Sequence, residues 1–392
     1  MAASGACKTL ILEREAHPGG IPRHALHSGF GLRDLHRVLS GPTYARRLAE
    51  NAAAAGAELL TSAMATGWTA AGDLEVTSPQ GRTTISPDAV VLCTGCRERS
   101  RAARLIAGTR PYGVMTTGTL QQLVYLQRRH VGRRAVIVGA EHVSYSALAT
   151  LSHARVSVAA ILTGLPEHQS YRLFAAGARL RYRTPTLTNT EVVCIHGYPQ
   201  LEGVTARNLQ TAATSEIPCD VLVLTGDWIP DNELAVGAGI AIDRGSASPL
   251  VDTSGRTLGP RIFAAGNLVH PAEMADVAAL GGRHVAVSVL RSLRTDDSWH
   301  SPAAHVVSSD LRWITPQLIP VDRAMPARRR FVVRAREFRP DAEITVTQND
   351  RDLWSGRIRL VPNRSASLPA SWLSNALESE GAIEVRVASC SP

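Results

Sequence analysis

The sequence predicts an α/β fold of two similar strand–helix units followed by a β-rich C-terminal domain. Short apolar runs recur through the first two thirds of the 392 residues, and several end in small residues such as Thr-Gly or Gly-Asn. Stretches of helical character, one of them rich in alanine, lie between the runs. Beyond residue 300 the pattern changes to short strands separated by Pro, Asn, Asp and Gly. Alternating strands and helices are typical of βαβ units with a parallel sheet.

Each element of the two units follows from its own run of residues. The continuous apolar run at 89–92 is typical of a strand that is buried on both faces of a parallel sheet. The other predicted strands are residues 9–12, 58–60, 74–77, 134–138, 156–162, 221–224 and 261–265. Helices are predicted at residues 44–57, 143–153 and 275–293. This order gives a discontinuous first domain, residues 1–110 and 226–295, with a second domain at 111–225 inserted between its halves.

The C-terminal domain is predicted over residues 300–392, which is an ordinary size for an independent domain. Its predicted strands are residues 330–336, 343–348, 353–360 and 382–388, with one helix at 371–377.

Composition narrows the class of protein. Hydrophobic residues make up 44% and charged residues 19%, and no run of 18 uncharged apolar residues occurs, so we expect a globular chain without a membrane span. The net charge is +8, yet the arginines are dispersed apart from the run at 328–330, which argues against a nucleic-acid partner. Six cysteines in 392 residues do not form a disulfide framework, which favours a reducing, cytoplasmic compartment.

A carboxylate stands where a dinucleotide-binding unit requires one. Such a unit needs a glycine turn after its first strand and an Asp or Glu about 20 residues later, at the end of the second strand. Glu13 ends the first apolar run and is followed by Gly19-Gly20. Only twelve residues precede Glu13, so the matching G-x-G-x-x-G is missing. We therefore expect a first domain that is truncated at its N-terminus by about one strand and its glycine turn.

A second candidate turn follows the strand at 134–138. In Gly139-Ala140-Glu141-His142-Val143-Ser144 only the first glycine of the fingerprint is present. Glu141 stands where the backbone should approach a phosphate, and its carboxylate would repel that group. The next strand ends in Thr163-Gly164 without an acidic residue for a ribose. Either this unit binds NAD(P), or it is a structural Rossmann-like unit that binds no nucleotide.

Four motifs in order resemble the two-dinucleotide-domain flavoproteins of the pyridine nucleotide-disulfide oxidoreductase superfamily. They are residues 12–15 with Gly19-Gly20, residues 92–95, residues 225–227 and residues 262–267. Residues 20–24 and the turn at 139–144 resemble the branch that contains opine oxidase and hydrogen cyanide synthase subunits. The resemblance implies two Rossmann-like domains, an FAD-binding type and an NAD(P)-binding type.

The resemblance also implies site residues. The cofactor-binding set for FAD is Glu13, Arg14, Gly19, Gly20, Thr94, Gly95, Gly266 and Asn267. Asn267 departs from the family, which usually has Asp there. The helix that starts near Asp276 is expected to direct its N-terminal dipole at the flavin. A redox cysteine pair is missing after the Gly-Gly turn, and Cys93-x-x-Cys96 is interpreted as two small residues that fill buried positions.

The resemblance implies an FAD-dependent oxidoreductase that acts on a small substrate, an amine or an amino acid, and passes electrons to an acceptor or partner subunit. Arg23, His24, His270 and Glu273 are the candidate catalytic residues, because they follow the two cofactor turns. Ordinary loop positions are the alternative for all four. No metal site is predicted, since the histidines lack partners at zinc spacing. The alternative function is an N-terminally truncated, flavin-free homologue with a structural or regulatory role.

Overall fold

The computed structural model describes residues 1–294, 302–376 and 381–388. The first part of the chain forms short strands around one long helix. These elements are β1 (Leu10–Leu12), β2 (Ser28–Phe30), β3 (Leu39–Ser40), α1 (Gly41–Ala54), β4 (Glu58–Leu60), β5 (Met64–Trp68), β6 (Leu74–Ser78), β7 (Gly81–Ile85), β8 (Val90–Leu92) and β9 (Cys96–Glu98). Short 3-10 turns lie at Ala2–Ser4, Ile21–His24 and Ala102–Arg104.

The middle part of the chain, residues 107–224, forms a second group of strands and helices, which we call the middle unit. Its elements are β10 (Ala107–Gly108), β11 (Val114–Thr116), α2 (Thr117–Gln121) continued by a π-helical turn (Gln122–Leu126), β12 (Arg134–Val138), α3 (His142–His153), β13 (Ser157–Leu162), α4 (Arg172–Tyr182), β14 (Thr186–Leu187), β15 (Thr190–His196), β16 (Gly203–Asn208), β17 (Thr214–Pro218) and β18 (Val221–Leu224). A five-stranded parallel sheet in the order β11-β18-β12-β13-β14 forms its centre.

That central sheet is covered on both faces, which explains its continuous apolar strands. One face packs against α2 and α3 through Ile137, Leu148 and Ile161, all with at most 2% of their surface exposed. The other face packs against a second sheet in the order β10-β15-β16-β17, through Val136, Leu222 and their neighbours. Strand β10 belongs to this second sheet although it precedes residue 110.

The chain then returns to the first unit with β19 (Trp228–Pro230), α5 (Glu233–Gly237), β20 (Ile262–Ala264), a 3-10 turn (Gly266–Leu268) and α6 (Ala275–Arg294). Two strand pairs form its parallel core: β1 with β4, and β8 with β20. Trp68 packs with Leu92 in one apolar cluster and with Leu12 in another, so the antiparallel sheet β5-β6-β7 links the two pairs.

The described part of the C-terminal domain is mainly β-structure. It contains β21 (Ala304–Val307), β22 (Leu311–Thr315), β23 (Leu318–Ile319), β24 (Arg330–Ala335), β25 (Arg339–Gln348), β26 (Arg351–Leu360), β27 (Ser365–Pro369) and β28 (Ile383–Val387), with 3-10 turns at Ala327–Arg329 and Ser371–Asn375. Two sheets, in the orders β23-β21-β28-β25-β26 and β22-β24-β27, enclose one apolar cluster. Phe331 stacks on Trp372 inside it, with ring centroids 4.9 Å apart.

The predicted α/β class with a β-rich C-terminal region is confirmed. Strands at 58–60, 134–138 and 221–224 have the predicted bounds. The helix predicted at 371–377 is a 3-10 turn at Ser371–Asn375, while Leu377 lies outside the described residues, as do Cys390 and part of the predicted 226–295 and 300–392 ranges. Within the described ranges, no helix is both long and apolar enough to cross a membrane.

Candidate functional site

The carboxyl ends of β1, β8 and β20 carry the residues that the motifs singled out. The Ala265 amide donates to the Leu92 carbonyl at 3.0 Å, which continues the pairing of β20 with β8 beyond the strand ends. The turns Thr94-Gly95 and Gly266-Asn267 follow these two paired ends, so the structure brings them to the same edge. Glu13 follows β1 at the corresponding end of the other strand pair. Ligands of open α/β sheets bind at such carboxyl ends.

The backbone at Gly95 and Gly266 is open on the side where other residues carry a side chain. Their φ angles are 80° and 71°, which is the left-handed region. A Cβ at Gly95 would meet no atom within 4 Å, and one at Gly266 would lie 3.8 Å from its nearest neighbour. Gly19 is different, because a Cβ there would approach the Cβ of Ala45 in α1 to 2.7 Å. Gly19 therefore allows close packing, whereas Gly95 and Gly266 leave room for a ligand.

Glu13, Arg14 and Thr94 lie in the loops around these turns. One carboxylate oxygen of Glu13 accepts the Glu15 amide at 2.9 Å, and Arg14 is exposed. The Thr94 hydroxyl donates to the Asp231 carbonyl at 2.6 Å and thereby fixes the loop after β8. Gly20 has a φ of 54°, and a Cβ there would meet no atom within 4 Å; it begins the turn that leads to Arg23.

The two parallel strand pairs are separate. Within residues 1–294, 302–376 and 381–388, no strand pairs with the second edge of β1 or with that of β8. Leu10 and Ile11 of β1 keep 39% and 36% of their surface exposed, unlike the strands of the middle sheet. In a complete doubly wound unit one strand would connect β1 to β8 and deliver the glycine turn to the pyrophosphate. Glu13 and the turns at Gly95 and Gly266 offer a carboxylate acceptor and open backbone, whereas none of the described residues supplies a glycine turn between β1 and β8.

The N-terminus of α6 is occupied by a carboxylate of the chain itself. Asp276 is 3% exposed, and its Oδ1 accepts the Val277 amide at 2.9 Å. Its Oδ2 accepts the Arg33 amide at 3.1 Å and forms an ion pair with the Arg33 guanidinium at 3.2 Å. The predicted role of this helix end is to face the flavin, and the carboxylate adds negative charge at the same place.

The loop after β20 is held together by Asn267. Its Nδ2 donates to the Glu273 carbonyl at 3.2 Å, while its Oδ1 accepts the Glu273 amide at 3.1 Å. An aspartate could accept but not donate in this arrangement. The departure from the family's Asp therefore closes the loop around His270 and positions Glu273.

Arg334, on β24 of the C-terminal domain, reaches the same loop. It is 4% exposed, and its Nη2 donates to the Pro271 carbonyl at 3.0 Å and to the Ser365 hydroxyl at 2.9 Å. The guanidinium lies over the Trp313 ring, 5.1 Å from the centroid. Sequence reasoning missed Arg334, because nothing in the strand pattern distinguishes one of the many arginines as buried against a loop more than 60 residues away.

Burial sets the protonation of this loop. It lowers the pKa of His270 to about 4, with the charges of Arg334 and Arg328 acting in the same direction, so His270 is neutral at pH 7. Burial raises the pKa of Glu273, although the charge of Arg334 opposes the rise. Burial also lowers the pKa of Arg334, to about 10. His270 Nδ1 and Arg334 Nε are buried and have no hydrogen-bond partner among the described residues.

The other two candidate residues have partners within the protein. Arg23 forms an ion pair with Glu15. His24 is 3% exposed, and its Nδ1 lies 3.2 Å from Oε1 of Gln121, whose amide donates to the Ser146 hydroxyl at 2.8 Å. Burial lowers the pKa of His24. The His24–Gln121–Ser146 chain ties the first unit to the middle unit, whereas the loop of His270 and Glu273 contacts the C-terminal domain.

Two carboxylates, the buried Glu141 and the half-buried Glu98, cap helices of the middle unit. Glu141 is the N-cap of α3, and Glu98 accepts the Thr117 and Gly118 amides of α2 at 3.0 and 3.1 Å. Burial raises the pKa of both carboxyl groups, and their mutual repulsion contributes to the rise at Glu98. Sequence reasoning missed Glu98, since its partners lie 19 and 20 residues away.

Cys93 and Cys96 do not form a disulfide: Cys96 is buried as predicted, whereas Cys93 is exposed, so the predicted burial is wrong for that residue. Each of the five in the described ranges has a free thiol. Cys96 is 6% exposed, and burial raises its pKa to about 12, so it remains a thiol at neutral pH. In the same ranges, no group of three or more His, Cys, Asp or Glu side chains is arranged to hold a metal ion.

Comparison with protein families identifies the family of this chain. The family model described as pyridine nucleotide-disulphide oxidoreductase matches residues 11–282. The chain belongs to this family. It is therefore an FAD-dependent oxidoreductase by family, and the predicted superfamily, enzyme class and FAD cofactor are confirmed, with NAD(P) involved in the family as a whole. No curated protein matches the chain by sequence.

Solved structures show the same fold at low sequence identity. A thioredoxin reductase from T. acidophilum is 19% identical with a TM-score of 0.62, and the match covers 75% of this chain and 93% of that chain. An NAD-dependent persulfide reductase from A. fulgidus is 16% identical with a TM-score of 0.56, covering 94% and 68%. An L-proline dehydrogenase from P. horikoshii is 16% identical with a TM-score of 0.52, covering 76% and 55%.

Proposed function

We propose that the chain uses FAD to oxidise a small substrate, an amine or an amino acid, and passes the electrons to a partner subunit or another acceptor. FAD, when bound, supplies the acceptor for a hydride. The observation that carries the proposal is the half-buried loop after β20, which holds a neutral imidazole and a carboxyl group beside the buried Arg334 guanidinium and next to the open Gly266 backbone. Such a loop suits a small polar molecule with an amine group, because the imidazole and the carboxyl group can both accept hydrogen bonds from it.

The proposed roles follow the geometry. His270 and Glu273 contact the amine end of the substrate, since the neutral imidazole has one acceptor nitrogen and the carboxyl group can accept a hydrogen bond in either protonation state. Arg334 positions Glu273 through its charge and through its bond to the Pro271 carbonyl. Arg23 is a weaker candidate for a carboxylate clamp than the sequence suggests, because Glu15 already holds its guanidinium.

The cofactor roles are proposed residue by residue. Glu13 accepts hydrogen bonds from the adenosine ribose, with Arg14 and Gly20 in the adjoining loop. Gly19 packs that loop against α1. Thr94-Gly95 and Gly266-Asn267 allow the backbone to approach the flavin end of the cofactor.

Amine or amino-acid oxidation is favoured over disulfide reduction by the thiols. A disulfide reductase needs a reactive thiolate, and Cys96 is buried with a raised pKa. The proteins that share this fold include an L-proline dehydrogenase, which by its description acts on an amino acid, as well as a thioredoxin reductase and a persulfide reductase. The relation to opine oxidase and hydrogen cyanide synthase subunits remains part of this proposal, as does a cytoplasmic location, which the free thiols favour.

Flavin content and anaerobic reduction test the proposal. The purified full chain is incubated with FAD, freed of excess cofactor by gel filtration, and its absorbance spectrum is recorded. We expect flavin bands near one FAD per chain and bleaching when L-proline, glycine or methylamine is added without oxygen. His270→Asn and Glu273→Gln should retain FAD and slow bleaching by about 100-fold, the scale of a lost proton-transfer or positioning group.

A matched control is His305→Asn, because His305 is exposed on β21 of the C-terminal domain. This variant should bleach at the wild-type rate. Colourless protein that takes up no FAD would instead favour the flavin-free homologue. Equal bleaching rates for His270→Asn, Glu273→Gln and wild type would remove the loop from the proposed site.

A further inference from the structure

The second dinucleotide-type turn of the chain is filled by the chain itself. In a nucleotide-binding unit the first-turn amides of the helix after the glycine turn point at the pyrophosphate. Here the Glu141 carboxylate accepts the Val143 and Ser144 amides of α3. The Ser144 hydroxyl donates to Glu141 Oε1 at 3.1 Å and accepts the Glu141 amide at 3.2 Å, which completes a capping box.

The residues that follow β18 also contact the Glu141 carboxyl group. The Thr225 hydroxyl, at the end of β18, donates to Glu141 Oε1. A Cβ at Gly226 would come within 3.4 Å of the Glu141 side chain, so this carboxyl group lies against the turn after β18. Glu141 is only 3% exposed. The donors that would bind a phosphate are thus already satisfied by a buried acid.

A segment of the middle unit covers this helix end from outside. The backbone amide of Gln169 donates to the Ala140 carbonyl at 2.9 Å, and Gln169 is 1% exposed. The Ser170 hydroxyl lies 2.7 Å from Nδ1 of His142, and Tyr171 stacks on the His142 ring with centroids 4.7 Å apart. The segment 169–171 therefore closes the place where the rest of a dinucleotide would lie along the sheet edge.

We propose that Glu141 takes the place of a nucleotide pyrophosphate at α3 and so excludes NAD(P) from the second unit. This inference rests on the proposed function in one respect: it makes the electron acceptor a species other than NAD(P)⁺, such as a partner subunit. The family's dinucleotide does not fit this turn, because its diphosphate would place two negative charges against a buried carboxylate whose amide donors are taken. Glu141 is thereby a specificity-determining residue.

Isothermal titration of the full chain with NADH and NADPH tests the proposal. We expect no binding for the wild type up to about 1 mM, the weak end of the measurable range. Glu141→Gly should bind at least about tenfold more tightly than wild type, since it removes a like charge and frees the α3 amides. Glycine is tolerated at an N-cap with little loss of helix stability, and Glu141 has an ordinary φ of −98°.

Two further variants separate charge from shape. Glu141→Gln keeps a hydrogen-bond acceptor and removes the charge, and we expect its affinity to lie between those of wild type and Glu141→Gly. In Glu141→Gly combined with Tyr171→Ala, the covering segment is loosened as well, and NADH should bind at least as tightly as in the single variant. Circular dichroism and thermal melts confirm that each variant is folded.

Glu98→Gln is the matched control. Glu98 is a half-buried carboxylate that accepts helix N-terminal amides, on α2 rather than α3, and its substitution should leave NADH binding undetected. Micromolar binding by the wild type would overturn the proposal, and so would a double variant that still fails to bind. The titration does not require flavin, so its result is independent of FAD uptake: failure of the proposed function appears as colourless protein, and failure of this inference as NADH binding by the wild type.

Discussion

The first unit and the middle unit use the same local design, a parallel strand that ends in a small-residue turn, with opposite results. At the first unit the turns at Gly95 and Gly266 have positive φ and open space beside the backbone. At the middle unit the turn at Gly139 leads into a helix whose amides are held by Glu141. The strands predict the architecture of both turns, and one side chain after the turn decides whether a ligand has donors left.

The unit with the more complete sheet is the one whose turn is filled. The middle sheet has five paired strands and a core of fully buried residues, yet its nucleotide turn is filled. The core of the first unit is split into two strand pairs, yet its turns are open. A well-formed sheet is therefore not sufficient for binding, because binding depends on free donors and space at the carboxyl edge.

The largest effect is expected from closing the open turn. Gly95→Val places a β-branched side chain at φ 80°, in the space proposed for the cofactor, and should reduce FAD affinity by ~100-fold or more, with a stability loss of about 1–3 kcal/mol from backbone strain. FAD retention after gel filtration and a thermal melt measure both. Gly72→Val is the control, since Gly72 has φ 88° in an exposed turn with open space around it. If Gly72→Val also lost FAD, the effect at Gly95 would reflect strain alone.

Acid should destabilise both regions through a half-buried histidine. Burial lowers the pKa of His142, beside the filled turn, and of His270, beside the open one, to about 4 in each case. A histidine whose pKa is lower in the folded state contributes stability fully above its unfolded pKa of 6.5, and loses it as the pH falls toward 4. Each contributes up to about 3 kcal/mol to this acid loss.

Urea unfolding at several pH values between neutrality and acid measures this loss. His270→Asn and His142→Asn should each reduce the loss of unfolding free energy at acid pH, and the double variant should reduce it further. The same measurement at saturating FAD or substrate sharpens the comparison between the open and the filled turn. The comparison is sharper if the ligand changes the loss of unfolding free energy that depends on His270 and leaves the loss that depends on His142 unchanged. Equal slopes for wild type and both variants would contradict the shifted pKa values.

A smaller effect is expected from the ribose carboxylate that we propose for the first unit. Glu13→Gln removes the negative charge and replaces one of the two acceptor oxygens at the end of β1 with an NH2 group. It should weaken FAD binding by about tenfold, the scale of a charged hydrogen bond. FAD titration followed by flavin fluorescence measures the change. Glu58→Gln is the control, because Glu58 is exposed at the opposite end of the neighbouring strand β4. A wild-type affinity in Glu13→Gln would show that the ribose lies elsewhere.

The sequence predicts the strands of both units because burial on two faces leaves a local record, as the run from Arg134 to Val138 shows. It also locates the open turns, since Gly95 and Gly266 follow such runs directly. It also singles out Glu141 after the turn at Gly139, but it does not predict the distant side chains that contact these turns and helices. Arg334 reaches its loop from a distant domain, and Glu98 caps a helix 19 residues later. Contacts between distant segments leave no periodic pattern, so the buried charges appear only in three dimensions.

The smallest effect tests how firmly the middle unit is closed. The guanidinium of Arg364, in the C-terminal domain, lies over the Tyr171 ring at 4.8 Å from its centroid, and that ring covers the α3 end. Arg364→Gln should cost about 0.5–1 kcal/mol of stability, the size of a partly exposed cation–π contact. It should also speed amide exchange at residues 169–171 while leaving exchange in β12 unchanged, which hydrogen–deuterium exchange measures. Arg357→Gln is the control, because Arg357 lies on the exposed face of β26. Unchanged exchange at residues 169–171 in Arg364→Gln would mean that Glu141 and Gln169 close this turn without help from the C-terminal domain.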